Sequence, residues 1–243
     1  ELMDNKWILM NFSHIYEEEN FWKEDTWADR FCVLDCTDIE GTNCYVSPEG
    51  EEEIRKRIQN LPVRGIHFID SGNYHYVTRL WLEKIQEPFC LLVLDHHTDM
   101  QSCAFEGLTS CGDWVKQAFH DHPCLEEVVL LGPPKEALEA VEEPYRQRLR
   151  TEVPKGKKIY ISVDKDVFTA KDAVTNWDQG DWPLEEGISL LRTAMRENTV
   201  LGMDVCGEPQ WRAQEGISPE ERKINDRCNR RLCQLWLEEG GIS

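Results

Sequence analysis

In the stretch "FCLLVLDHHTDMQ", residues 89–101, six apolar residues run straight into Asp95, His96, His97 and Asp99. An apolar run of that length, rich in Leu and Val, predicts a strand buried on both faces, as in the interior of a parallel sheet. A buried strand has no structural use for four ionisable groups at its end. Oxygen and nitrogen donors gathered there point to something that they hold.

On either side of this stretch the chain alternates. Short apolar runs predict further strands at 7–12, 30–36, 65–70, 127–132, 158–164 and 199–205. Charged segments with helical periodicity separate them: 47–61, which opens on Ser-Pro with acids in its first turn, then 74–86, 133–150, 183–198 and 218–239. Strands alternating with helices imply an α/β fold, a mostly parallel sheet covered on both faces. No stretch reads as a linker, so residues 1–243 are expected to form a single domain.

Composition excludes several classes of function. The net charge of −19 argues against nucleic acid and against anionic membrane surfaces. No run reaches the roughly 18 apolar residues that a membrane span needs. Ten Cys among 243 residues fall short of the roughly 8–10% that marks a disulfide scaffold, and none are spaced Cys-x-x-Cys. Reduced thiols and a cytoplasmic location are expected. "KWILMNF" (6–12) is short for a secretory h-region and is followed by the acidic "EEENFWKED" (17–25). The basic "RKINDRCNRR" (222–231) reads as an exposed helix face.

In open α/β sheets ligands bind beyond the carboxyl ends of the strands. Four strands here deliver Asp, His or Glu to that edge, in "SGNYH", "DHHTD", "DKDVF" and "DVCGE". Asp95, His97 and Asp99 stand at i, i+2 and i+4, which in an extended segment puts all three on one face. Asp164 and Asp166 repeat the spacing, and His75 comes from the turn marked by "SGN". A lone Asp at a strand end is more often a helix cap than a ligand, but three such clusters at three strand ends are not independent accidents of capping. Four desolvated carboxylates need compensating charge. Two divalent cations supply +4 against −4, and the mix of oxygen with some imidazole suits Mn²⁺ better than Zn²⁺ or Cu²⁺, with other divalent ions open and no Cys in the set.

The motifs "DHHTD", "SVDKD" and the Gly-x-x-His of "SGNYH" resemble the three metal signatures of the ureohydrolase (arginase–agmatinase–formiminoglutamase) superfamily, over about residues 65–208. The resemblance implies a three-layer α/β/α fold and a binuclear manganese site. One ion would take His75, Asp95, Asp99 and Asp164; the other would take His97, Asp95, Asp164 and Asp166. It implies hydrolysis of a guanidino, amidine or formimino carbon–nitrogen bond by a bridging hydroxide, on a small-molecule substrate, and leaves homo-oligomerisation open. Four features depart from the family pattern. Gly72-Asn73-Tyr74-His75 stands for Gly-Gly-Asp-His, and Glu208 falls one position late for Asp-x-x-Glu. "SCGDW" (110–114) replaces the loop that carries a proton-shuttling His, and "TNWDQGDW" (175–182) replaces the substrate loop after the second aspartate pair. Substrate therefore does not transfer with the metal chemistry.

Further candidates follow from position. Asp204 would hold the hydroxide or cap a helix, and Asp113 or His96 would move protons, His96 being equally suited to a buried supporting role. Glu208 would meet a cationic substrate group or sit in a surface turn. Trp177, Asp178 and Gln179, on a loop after a site strand, would contact substrate. Cys111 is either a pocket thiol or one more buried thiol. Two other readings stay open: an amide hydrolase like the deacetylases, with one zinc, and a metal-binding homologue without turnover.

Overall fold

The structure is a computed structural model that describes residues 6–240. Eight strands form one sheet: β1 (Trp7–Asn11), β2 (Phe31–Asp35), β4 (Ile66–Phe68), β5 (Phe89–Leu94), β7 (Leu125–Leu131), β8 (Leu149–Arg150), β9 (Lys158–Asp164) and β10 (Thr199–Cys206). Their order is β2-β1-β4-β10-β9-β5-β7-β8, and every pairing in it is parallel. A separate two-stranded antiparallel ribbon joins β3 (Tyr45–Val46) to β6 (Thr109–Ser110).

The helices are α1 (Ile15–Glu18), α2 (Pro48–Ile58), α3 (Val77–Leu82), α4 (Trp114–Asp121), α5 (Lys135–Glu139), α6 (Leu184–Glu197) and α7 (Pro219–Glu239). None is long and apolar enough to cross a membrane. Period-2 alternation along the strands splits the core in two. In β5, Cys90, Leu92 and Leu94 join Ile188 and Leu191 of α6 and Leu232 and Trp236 of α7. Leu91 and Val93 join Ile54 of α2, Leu80 of α3 and Trp114 of α4 on the other face. The result is the expected three-layer α/β/α sandwich.

Local signals set the ends of the long helices. Ser47 caps α2 through the Gly50 amide, with Pro48 at its first position. Ser218 and Glu221 close a capping box on α7. Three sequence expectations need correction. The segment 74–86 is helical only over Val77–Leu82, because Gly72–Tyr74 forms a separate 3-10 turn before it. The segment 133–150 is helical only at α5 and in the 3-10 turn Tyr145–Arg148. Pro144 bars its predecessor from helical geometry, and the end of the segment pairs with β7 as the edge strand β8. The third concerns 114–121, where the sequence reading named no helix: α4 begins on Trp114, the last residue of "SCGDW", and carries Trp114, Val115, Ala118 and Phe119 at helical spacing.

Candidate metal centre

Four neighbouring strands, β4, β10, β9 and β5, end on one edge and supply the site. Beyond β4 the 3-10 turn Gly72–Tyr74 presents His75, fully inside the protein. The turn after β5 carries Asp95, His97 and Asp99. Its tightness depends on Gly132 at the end of β7, where a Cβ would lie 2.3 Å from the Asp95 carbonyl oxygen. Asp99 has a left-handed φ of 50°, rare outside glycine, and is held there by Trp114 Nε1, which donates to its Oδ2 at 2.7 Å.

His75 Nδ1 lies 3.3 Å from Asp95 Oδ2, 3.1 Å from Asp99 Oδ2 and 3.4 Å from Asp164 Oδ2. His97 Nδ1 lies 2.9 Å from Asp166 Oδ2 and 3.5 Å from Asp95 Oδ1. All six residues named from the sequence as metal donors thus converge on two adjoining groups, with Asp95 common to both. Burial, then the charges of Asp99 and Asp164, push the Asp95 carboxyl up to about 6. Burial with Asp164 and Asp95 pushes Asp166 well above the usual carboxylate range. Hydrogen bonds to Asp166 and Asp95 push His97 up to about 12.

These residues fit divalent cations. The buried His75 Nδ1 and Asp95 Oδ2 make no hydrogen bond, although each lies among polar atoms. Both imidazoles are tied at the opposite nitrogen. His75 Nε2 meets Ser162 Oγ at 2.8 Å, and His97 Nε2 meets Asp178 Oδ1 at 2.9 Å. With the Nε2 proton held by these acceptors, each Nδ1 faces the carboxylates and, once it gives up any proton, presents its lone pair there, the posture of a metal-binding histidine.

The remaining candidates have other places. Asp204 is fully buried behind His75: its Oδ1 accepts from Ser162 Oγ at 2.6 Å and its Oδ2 from Tyr160 at 2.9 Å. It orients Ser162 and, through it, His75. Asp113 accepts from Ser110 N and Gln117 Nε2 within its own turn. His96 is partly exposed, with Nε2 3.6 Å from Asp178 Oδ2. Asp178, named for substrate contact, is exposed and meets His97 through Oδ1. Gln179 clasps its own loop, donating to the Phe168 and Ala173 carbonyls. Trp177, 41% exposed, donates from Nε1 to Asn73 Oδ1 at 3.0 Å.

Glu208 is neither a substrate contact nor a surface turn. It is completely buried in an ion pair with Lys165 and accepts from Asn229 Nδ2 at 2.8 Å. Alternation from Asp204 and Cys206 would bring it to the metal side, but Gly207 has a φ of 97°, and that conformation breaks the alternation. The sequence reading missed Lys165, whose signal was present. If Asp164 and Asp166 face the site, the residue between them faces the interior and needs a partner. It also missed Cys206, whose thiol shares reach with His75 and Asp164, so a soft donor does adjoin the set. Ser162 was overlooked too, although it stands two residues before Asp164 on the same face.

A cleft of about 260 Å³ opens at this edge, with Gly72, His97, Asp99, Asp164, Asp166 and Trp177 in its lining. The overall architecture matches solved structures across almost the whole chain. A Trypanosoma cruzi formiminoglutamase crystallised with Mn²⁺ superposes with a TM-score of 0.66 at 12% identity, over 99% of this chain and 94% of that one. The chain has the ureohydrolase fold. An agmatine ureohydrolase of Thermoplasma volcanium gives a TM-score of 0.64 at 13% identity, over 99% of this chain and 91% of that one. In sequence, an uncharacterised protein of Thermotoga maritima is 29% identical over 216 residues, 85% of this chain and 83% of that protein. No family model matches the chain.

Two expectations concern this site. Asp204→Ala removes the acceptor that Ser162 needs if it is to receive the His75 Nε2 proton. Loss of such a supporting contact typically weakens metal affinity by about 10–100-fold, to be read by competition against a chromophoric chelator. The second concerns pH. Burial pushes Asp70, Asp95 and Asp204 each up to about 6, above their unfolded values, so the native state takes up protons first as pH falls. The metal-free protein should gain stability from these groups between pH 7 and pH 5, opposed by His67, which burial pushes down to about 3. Thermal melts across that range, without metal, check the sign.

Proposed function

We propose that the chain is a binuclear metal-dependent hydrolase of a carbon–nitrogen bond in a guanidino, amidine or formimino small molecule. The observation that carries the reading is the convergence of six donors at the strand ends, with His75 Nδ1 and Asp95 Oδ2 buried and unbonded among them. One ion is assigned to His75, Asp95, Asp99 and Asp164, the other to His97, Asp95, Asp164 and Asp166, with Mn²⁺ the first choice. Divalent ions held by these residues would supply a lowered pKa for bound water and stabilisation of the charge developing at the attacked carbon.

The chain's own groups do the rest. Ser162 and Asp178 orient the two imidazoles. Beyond the assigned metal donors, the ionisable groups in the cleft lining are Tyr45 and the Cys44 and Cys111 thiols, none of them basic, so nothing there opposes a cationic or neutral planar group. The Trp177 indole, half out in solvent, offers it a flat wall. We assign to His96, partly exposed beside Asp178, the transfer of a proton to the leaving amine. An open cleft over the donors favours turnover over a purely structural metal site.

One observation favours a second reading, a single-zinc amide hydrolase: the Cys206 thiol beside His75 and Asp164 is a soft donor that suits zinc. Incubation of the Mn²⁺-loaded protein with guanidino, amidine and formimino compounds, scored by released urea or ammonia, tests the first reading. Metal-dependent turnover of at least one class is expected. Two bound ions with no turnover of any class would mean a metal-binding protein without this hydrolytic activity.

A further inference from the structure

The β3–β6 ribbon borders the cleft and carries two thiols that the hydrolytic reading does not use. In its register Tyr45 faces Ser110 and Val46 faces Thr109. Cys44 and Cys111 border the ribbon at the same end: Cys44 leaves the strand with a φ of 64°, yet the Cys111 amide still donates to the Cys44 carbonyl at 2.8 Å. Residues joined by such a bond across an antiparallel pair have Cα atoms about 5.5 Å apart, within the roughly 4.4–6.8 Å that a disulfide spans. Each thiol shifts the other's ionisation, and both line the cleft beside Asp99, Asp164 and Asp166. We propose that Cys44 and Cys111 form a dithiol that small-molecule disulfides convert reversibly into a cross-strand disulfide in the wall of the metal cleft.

The other thiols lack this combination of a thiol partner and access. Cys36, Cys90, Cys206, Cys228 and Cys233 are buried. Cys32, partly exposed, pairs in register with Ile8, and Cys124, partly exposed, lines a separate hollow with no second thiol. Cys103 is exposed, with its thiol turned to the Phe105 and Leu108 carbonyls. Within the pair the roles divide. The neighbouring Cys111 thiol pulls Cys44 down to about 7, so at neutral pH much of it is thiolate, the form that attacks a disulfide. Cys111, held up first by Cys44 and then by burial, keeps its proton until the second step.

With glutathione disulfide as oxidant, the Cys44 thiolate attacks one sulfur and the S–S bond breaks. A mixed disulfide forms, and one glutathione leaves and takes up the proton that Cys44 gave up. Cys111 then loses its proton and attacks the Cys44 sulfur, which forms the cross-strand bond and expels the second glutathione as a thiol. Two protein thiols are oxidised and one glutathione disulfide is reduced to two thiols, with no other reactant. The bridged form ties the chain at 44–45 to 110–112 and removes both free thiols from the cleft lining.

The test uses the full chain carrying Cys103→Ser, which removes the exposed thiol. The protein is equilibrated with mixtures of glutathione and its disulfide, alkylated and peptide-mapped. The expected result is a linked peptide pair joining Cys44 to Cys111, a loss of two alkylatable thiols, and reversal by excess glutathione. Cys44→Ser and Cys111→Ser on the same background should give no linked pair. Glutathione adducts that persist on Cys44 or Cys111 without a linked pair, or a disulfide elsewhere while these two stay reduced, would overturn the proposal. The parent protein alone gives this answer, so it does not depend on the variants folding or on the cleft turning over a substrate.

Discussion

Asp95→Ala/Asp164→Ala should bind no divalent metal, whereas the wild-type chain, purified after growth with added manganese, should carry about two ions. The expectation follows from sharing. Asp95 lies in both donor groups, and Asp164 stands between His75 and the Asp166 amide, which donates to its Oδ1 at 3.0 Å. Taking both away leaves each ion with half of its assigned side chains. The variant should still fold, because Asp95 and Asp164 crowd like charges into a buried space, and burial with Asp99 and Asp164 already pushes Asp95 up to about 6. Mass spectrometric metal analysis of both proteins, with thermal melts of the metal-free forms, gives the result. One zinc in the wild type would move the assignment to the amide-hydrolase reading. No metal in the wild type would mean that the donors are kept without their ions.

Lys165→Met should cost about 3–5 kcal/mol, the usual result of leaving one member of a buried ion pair alone. Lys165 and Glu208 are both fully buried. Lys165 Nζ also donates to Asn229 Oδ1 at 2.9 Å, and Glu208 Oε2 accepts from Asn225 Nδ2 at 3.2 Å. Glu19, buried beside them, is pushed well above the usual carboxylate range by its own desolvation and then by Glu208. Without the lysine charge Glu208 must take a proton or stay charged in a dry site. For a chain of this size the loss corresponds to a melting temperature lower by roughly 10 °C. Lys165→Met/Glu208→Gln should recover much of it, since both charges go together. Calorimetry on the three proteins measures the coupling, and a single variant within about 1 kcal/mol of wild type would show that the pair is not what holds the Asp164–Asp166 turn.

The sequence was most legible where one physical rule acts alone. A parallel strand buried on both faces must be apolar throughout, so "FCLLVL" could be read as an inner strand, and the Asp and His residues after it could only lie at its end. The i, i+2 spacing of Asp95, His97 and Asp99 and of Asp164 and Asp166 likewise set which side chains share a face, and the structure brings all six donors together. The opening of α2 was legible for the same reason, its cap being a local contact between residues three positions apart.

What the sequence left open was which distant partner each polar group would meet. Asp204 pairs in register with Ser162, 42 residues away, so it serves His75 rather than the cleft. Glu208 meets Lys165 across a similar separation because one glycine with a positive φ turns it to the other layer. Gln179 and Asp113 spend their hydrogen bonds on their own loops, and the approach of Cys44 to Cys111 depends on a ribbon too short to leave a pattern. Periodicity along one chain fixes the face on which a residue lies. Only the packing of strand against strand and helix against sheet decides which buried donor or charge stands opposite, because that pairing must satisfy every desolvated polar group at once.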